Sequence, residues 1–306
     1  MKRLVTRSDF DGLACAMMLK ELNLIDDIKF VHPKDVQDGK IELSENDITT
    51  NLPYDPRVGI AFDHHESEVD RLKAIETGGK LIIDPNARSA ARVVYDYYGG
   101  KKTFPRISDE LIEAVDKGDS ADFTIDEILH PTKWVLLHYI MDPRTGLGRF
   151  HDFRISNYDL MMELIDRCLT LSIDEIMELD DVKERTTLYF EQAKLFEEQL
   201  KRIVKVYGKV AVIDLRNEDI IYAGNRFMVY AMYPETEISV HVAWGFKKQN
   251  TAVMIGKSIV NKKSKVDIGE LCLSYGGGGH ANAGTCQLDN DKVDKELPNI
   301  IKKLNA

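Results

Sequence analysis

VGIAFDHH, residues 58–65, is a short apolar run that stops at an aspartate and two adjacent histidines. A run of this length reads as a buried strand. Successive side chains on a strand point to opposite faces, so the two imidazoles are expected on opposite sides of the strand end. Runs of the same kind lie on both sides of it. KRLVT (2–6), IKFVH (28–32), DITTNL (47–52) and KLIID (80–84) read as strands, and LACAMMLKEL (13–22) and ARSAARVVYDYY (87–98) as helices. Strands separated by helices, with few hairpin turns, predict a parallel α/β sheet.

Residues 105–180 are mainly helical in pattern, with a capping box from Ser172 to Glu175. A long helix follows over roughly 182–205. Its apolar residues Tyr189, Ala193, Phe196, Leu200 and Ile203 step by four, three, four and three, which draws one stripe along its length. KVAVIDL (209–215) begins a second βα series that ends in a helix over 291–304. The expected layout is a first domain over 1–185, a connecting helix over 186–206 and a smaller α/β domain over 207–306.

Composition narrows the class. The chain has 306 residues, enough for two cores, and its 43% hydrophobic and 30% charged content fits a globular protein. No stretch approaches the roughly 18 apolar residues that a membrane span needs. MKRLVTRSDFDG (1–12) has basic residues but no apolar core of a signal peptide. The four cysteines, Cys15, Cys168, Cys272 and Cys286, form no CxxC pair, so reduced thiols and a cytoplasmic location are expected. A net charge of −10 argues against a duplex nucleic acid as partner, because phosphate binding needs a surplus of Lys and Arg. A small anionic ligand in a local positive pocket is compatible with it.

In open α/β sheets ligands bind at the carboxyl ends of the strands. After the first strand comes S-D-F-D-G, with Asp9 and Asp11 just before a helix, both as metal ligands or Asp11 as the helix cap. Asp63-His64-His65 stands at the same edge. Oxygen and imidazole donors together suit Mn²⁺ or a similar divalent ion better than a thiolate metal. DKGDSAD (116–122) adds Asp116, Asp119 and Asp122. Near the other end, SYGGGGHANAG (274–284) places Gly276, Gly277, Gly278 and Gly279 before His280. Glycines let the backbone approach a ligand and turn its N–H groups toward anionic oxygens. Tyr95, Tyr97 and Tyr98 read as helix packing.

Together and in this order, S-D-F-D-G, D-H-H, DKGDSAD and G-G-G-G-H-A-N-A-G resemble the motifs of the DHH phosphoesterase family, over nearly the whole chain. The last motif is similar to that of the DHH-associated domain found in RecJ-type exonucleases, nano-RNases and proteins labelled exopolyphosphatase-related. The resemblance implies a parallel-sheet DHH domain joined by a long helix to a smaller α/β substrate-binding domain, with the active site in a cleft. It implies metal-dependent phosphoester hydrolysis with one or two Mn²⁺ ions, Mg²⁺ or another divalent ion being the alternative. Carried over by position, Asp9, Asp11, His64 and Asp119 are the expected metal ligands, with Asp116 the neighbouring alternative. Asp63 is expected to orient the His64 ring and His65 to face the substrate phosphate. Lys257, Ser258, the four glycines and His280 are the expected phosphate contacts, and Arg88 and Ser89 lie in a segment near the cleft.

Two positions depart from the family pattern. Arg7 stands two residues before Asp9 where a histidine ligand is usual, and Asn51 stands where an aspartate closes the strand before D-H-H. Asp47 lies at the wrong end of that strand and Asp55 in the loop beyond it. Three carboxylates and one guanidinium leave about −2, which one divalent ion neutralises. A site holding one metal, with Arg7 in the space of another, is therefore expected. The function expected is a phosphohydrolase acting on short single-stranded, 5′-phosphorylated oligonucleotides or a dinucleotide such as pApA. Polyphosphate is the second substrate class, a non-catalytic nucleotide- or phosphate-binding protein is the rival, and the protein is expected to be a monomer or homodimer.

Overall fold

A computed structural model describes residues 2–65, 68–69, 72, 77 and 80–306. The chain divides into two compact units, Met1–Asp122 with Thr132–Thr187, and Phe123–Pro131 with Leu188–Ala306.

The first unit is built on a five-stranded sheet of order β2-β1-β3-β4-β5, parallel throughout. Its strands are β1 (Arg3–Thr6), β2 (Asp27–Phe30), β3 (Asp47–Thr50), β4 (Ile60–Asp63) and β5 (Leu81–Ile83). The chain steps from β1 outward to β2 and then returns past β1 to β3. The strand order therefore reverses between β1 and β3, and the carboxyl ends at such a reversal are where sheets of this kind bind ligands.

Helix α1 (Phe10–Glu21) leaves β1 and runs through the interior, with Phe10 to Leu19 all buried. A helix apolar on every side has to be packed on every side. After α2 (Pro33–Gln37) come α3 (Ala90–Tyr97) and α4 (Asp109–Asp119), and α1 packs against both. Gly12 makes the first turn of α1 possible, since a Cβ there would lie 2.1 Å from the Arg7 carbonyl oxygen. Tyr95 stacks on Phe104, and Tyr97 and Tyr98 pack on Phe62, as expected of helix packing.

Further helices are α5 (Ile125–Leu129), α6 (Lys133–Met141), α7 (Asn157–Arg167), α8 (Ile173–Met177) and α9 (Asp180–Ile203). Ser172 caps α8 in a reciprocal box with Glu175. In α9 the stripe buries Tyr189, Phe196 and Leu200, while Ala193 and Ile203 are partly buried.

The second unit holds a six-stranded sheet of order β10-β11-β9-β8-β7-β6. Its elements are β6 (Val204–Tyr207), β7 (Val210–Asp214), α10 (Met228–Met232), β8 (Ile238–Trp244), β9 (Thr251–Lys257), α11 (Ile268–Leu273), β10 (Gly278–His280), β11 (Ala283–Leu288) and α12 (Val293–Leu304). Only β7 and β8 pair in parallel, so the expected βα series is confined to that pair. Hairpins join β6 to β7, β8 to β9 and β10 to β11, while the chain between β9 and β11 passes through α11 and β10. The core is formed by Val210, Ile238, Val240, Val253, Cys286 and their neighbours. Helix α5 belongs to this unit because it packs on α10. All four cysteines are buried free thiols. Among the described residues no helix is long and apolar enough to cross a membrane.

Candidate active site

The registers β1–β3 and β3–β4 pair Thr6 with Thr50 and Thr50 with Phe62. The residues that follow, Arg7, Asn51 and Asp63, thus stand side by side along the carboxyl edge of the sheet. Below them the Thr50 hydroxyl donates to Thr6 Oγ1 at 2.7 Å, and the Thr6 hydroxyl donates to the Thr50 carbonyl at 3.1 Å. Asn51 leaves β3 with φ +55, a left-handed conformation that asparagine tolerates better than most residues. Its N–H donates to the Phe62 carbonyl, and its side-chain Oδ1 and Nδ2 are buried without a partner.

Asp9 caps α1, its Oδ1 accepting the Gly12 N–H at 3.0 Å, while its Oδ2 lies 3.2 Å from Arg7 Nε. Asp11, in the first turn of α1, reaches the N-terminus of α3 and accepts N–H groups from Ala91 (2.7 Å) and Ala90 (3.2 Å). Burial raises the pKa of both carboxyls. Arg7 opposes the rise at Asp9, while Asp119 and Asp9 drive that of Asp11 well up.

His64 Nε2 lies 2.9 Å from Asp119 Oδ2, and its Nδ1 lies 3.3 Å from the Ala87 carbonyl. Burial works against a charge on His64, but Asp119, with Asp11 and Asp63, raises its pKa to about 9. Asp119 is held below the usual carboxylate range by His64, against its own burial. Asp119 is the last residue of α4, where the helix dipole is least favourable to an anion. The carboxylate therefore depends on the imidazolium, or on a cation in its place.

The donor atoms of Asp11, His64 and Asp119 lie within 4.8 Å of one another, as do those of Asp63, His64 and His65. Two carboxylates and an imidazole on separate elements fit one divalent ion of the Mn²⁺ or Mg²⁺ type. Asp9 stands in neither group, being committed to Gly12 and Arg7. Asp116 is also committed: it accepts from Ser89 Oγ (2.7 Å) and from Arg92 Nε (2.9 Å) and Nη2 (2.6 Å). Ser89 in turn caps α3, and Arg88 bonds Ser120 and Asp122.

Two expectations about the triplet are corrected. Asp63 does not orient His64. Its Oδ1 bonds His65 Nδ1 at 2.8 Å instead. Nor do the histidines face away from each other, since their ring centroids are 4.4 Å apart. β4 ends at Asp63, and strand alternation no longer governs the side chains beyond it. The Ala87 carbonyl takes the orienting role at His64.

In the second unit, His280 and Gly256 both pair with Ala283, which brings Lys257, Ser258 and His280 to one end of the sheet. The Ser258 Oγ accepts the Val260 and Asn261 N–H groups, and His280 Nδ1 accepts that of Asn282. The glycine run is less of a phosphate cradle than its sequence predicts. The Gly276 and Gly277 N–H groups end α11 by bonding the Leu273 and Cys272 carbonyls. Gly277 and Gly279 are needed for close packing, because a Cβ would meet Thr285 O at 2.1 Å or Ala283 O at 2.3 Å. Gly278 and His280 are exposed on the edge strand β10.

Sequence reasoning missed Arg144. Its exposed side chain donates from Nε to Asp142 Oδ1 at 2.7 Å, and Asp142 with, through the field, Asp9 and Asp119 raises its pKa. MDPRTG (141–146) reads only as a turn, and no spacing links it to the other motifs.

No protein-family model and no curated protein matches the chain. Solved structures do. A pGpG-specific phosphodiesterase, PggH from Vibrio cholerae, is 55% identical over 100% of this chain and 99% of that one, with a TM-score of 0.87. An exopolyphosphatase-related protein from Bacteroides fragilis is 14% identical over 99% of this chain and 92% of that one, with a TM-score of 0.57. RecJ from Thermus thermophilus, in complex with Mn²⁺, is 13% identical over 99% of this chain and 51% of that one, with a TM-score of 0.50. The last two likenesses concern the fold alone.

Proposed function

The chain belongs to the DHH phosphoesterase family, and on that premise we propose that it is a divalent-metal-dependent phosphodiesterase that splits a 5′-phosphorylated dinucleotide, pGpG ahead of pApA, into two mononucleotides. The observation that carries the substrate class is the 55% identity, over the whole chain, with a pGpG-specific phosphodiesterase. Hydrolysis adds one water across the 3′–5′ phosphodiester, leaving a 3′-hydroxyl on one nucleotide and a 5′-phosphate on the other.

Asp11, His64 and Asp119 would hold the metal, and their oxygen and nitrogen donors favour Mn²⁺. When bound, that ion supplies water activation at neutral pH and charge neutralisation on the phosphate. His64 is set for ligation through Nε2, since Nδ1 donates to the Ala87 carbonyl. His65 is held in the same way, through Nδ1. Asp63 accepts from its Nδ1, which leaves Nε2 of a half-exposed ring to contact phosphate or to hand a proton to the leaving 3′-oxygen. Lys257, Ser258 and His280, with Gly278 and Gly279, form the second phosphate-contact cluster.

The test is turnover of pGpG, pApA, a longer oligoribonucleotide and polyphosphate by protein stripped of metal and reloaded with Mn²⁺. GMP is expected from pGpG, with little release from polyphosphate and none from the His64→Ala variant. Tight binding of pGpG without turnover would make this a nucleotide-binding protein instead.

A further inference from the structure

We infer that Arg7 and Asn51 form an anion subsite made of protein alone, which grips a non-bridging oxygen of the scissile phosphate beside a single divalent ion. The inference rests on the phosphodiesterase reading. A single ion follows from the donors. Both candidate groups include His64, whose Nδ1 is turned to the Ala87 carbonyl and which therefore offers Nε2 alone. Asp63 keeps a buried Oδ2 without a partner, but its group shares His64 with the other, and Asp9 belongs to neither group. Among the described residues, the two groups therefore compete for one His64 nitrogen and cannot both be complete at once.

Beside that set lies a polar side chain with nothing to bond. Asn51 is 2% exposed, yet neither its Oδ1 nor its Nδ2 has a partner. Buried amides are almost always paired, and an unpaired one calls for a ligand or water that completes it. It is held there by a left-handed backbone, the kind of strain that persists at functional sites. The strand register sets it between Arg7 and Asp63, at the switch point of the sheet.

Arg7 supplies the charge. Its Nε faces Asp9, and among the described residues its other N–H groups have no hydrogen-bond partner. A guanidinium carries five donors in a planar fork that matches phosphate oxygens. Asp9 thus acts as a positioning residue that aims this fork along the sheet edge. The guanidinium repels a second cation, and the neutral amide brings none of the charge that an aspartate would offer one, so the same pair that completes the phosphate contact limits the site to one metal.

The experiment pairs two readouts other than turnover: the Mn²⁺ count per chain by electron paramagnetic resonance, and the affinity for a hydrolysis-resistant phosphorothioate pGpG by calorimetry. Wild type should hold one ion and bind the analogue. Arg7→Gln and Asn51→Ala should keep the count at one and weaken the analogue about tenfold or more. Arg7→Gln at a partly exposed position guards against misfolding of the Asn51 variant. Two ions in wild type, or unchanged affinity in Arg7→Gln, overturns the inference while leaving the phosphodiesterase reading intact. Failure of wild type to bind the analogue overturns both.

Discussion

His64 and His65 are neighbours with different chemistry, and single substitutions separate them. His64 meets Asp119 through Nε2 inside a group of metal donors, whereas His65 is half-exposed and backed by Asp63. His64→Ala is expected to lower Mn²⁺ affinity at least tenfold, roughly the loss that follows even when a ligand's supporting partner is removed. His65→Ala should leave that affinity unchanged and lower kcat by about 10²–10⁴, the range for a proton donor. Titration of both variants with Mn²⁺, alongside turnover, checks the pair, and equal loss of metal in both would refute the division. Arg7→His combined with Asn51→Asp replaces a cation and an amide with two potential ligands. It should raise Mn²⁺ binding above that of wild type, and an unaltered binding curve would mean that neither side chain faces the metal.

Helix α4 makes a similar division between two carboxylates three residues apart. Asp116 is tied to Arg92 and Ser89 of α3 and its cap, while Asp119, at the helix end, meets His64. Asp116→Asn should cost on the order of 2–3 kcal/mol of stability, the range for hydrogen bonds to charged groups, without changing the metal count. Asp119→Asn should abolish tight metal binding. Denaturant melts together with metal titrations separate the two, and the reverse pattern would exchange their roles. This division was only partly legible in the sequence. The strands showed because buried parallel strands are written as apolar runs, and the edge positions of Arg7, Asn51 and Asp63 follow once those runs are aligned. Side-chain partners did not show. Asp63 turns to His65 because β4 stops there, and Gly276 and Gly277 close a helix that a row of glycines does not announce. Arg144 comes from a turn distant in sequence, contacts Asp142, and acts on Asp9 and Asp119 only through the field.

For the whole molecule, the metal-free and metal-loaded states should answer pH differently. Without metal, Asp119 and its neighbouring carboxylates keep His64 protonated up to about 9, although burial opposes the charge. The unfolded chain releases that proton near 6.5. Between those values the native state holds more protons, so stability falls as pH rises. The contribution, on the order of 2–3 kcal/mol, is complete below about pH 6.5 and lost as pH passes through about 9. A divalent ion needs a neutral imidazole at Nε2, so binding expels the proton and apparent affinity climbs with pH, by up to about tenfold per unit. Thermal melts between pH 6 and 9, with chelator and with Mg²⁺ or Mn²⁺, read both effects at once. The chelated protein should lose melting temperature across this interval, and the gap opened by metal should widen. A gap that stays constant with pH would mean that no proton leaves His64 on binding, and that the ion is held by a different set of side chains.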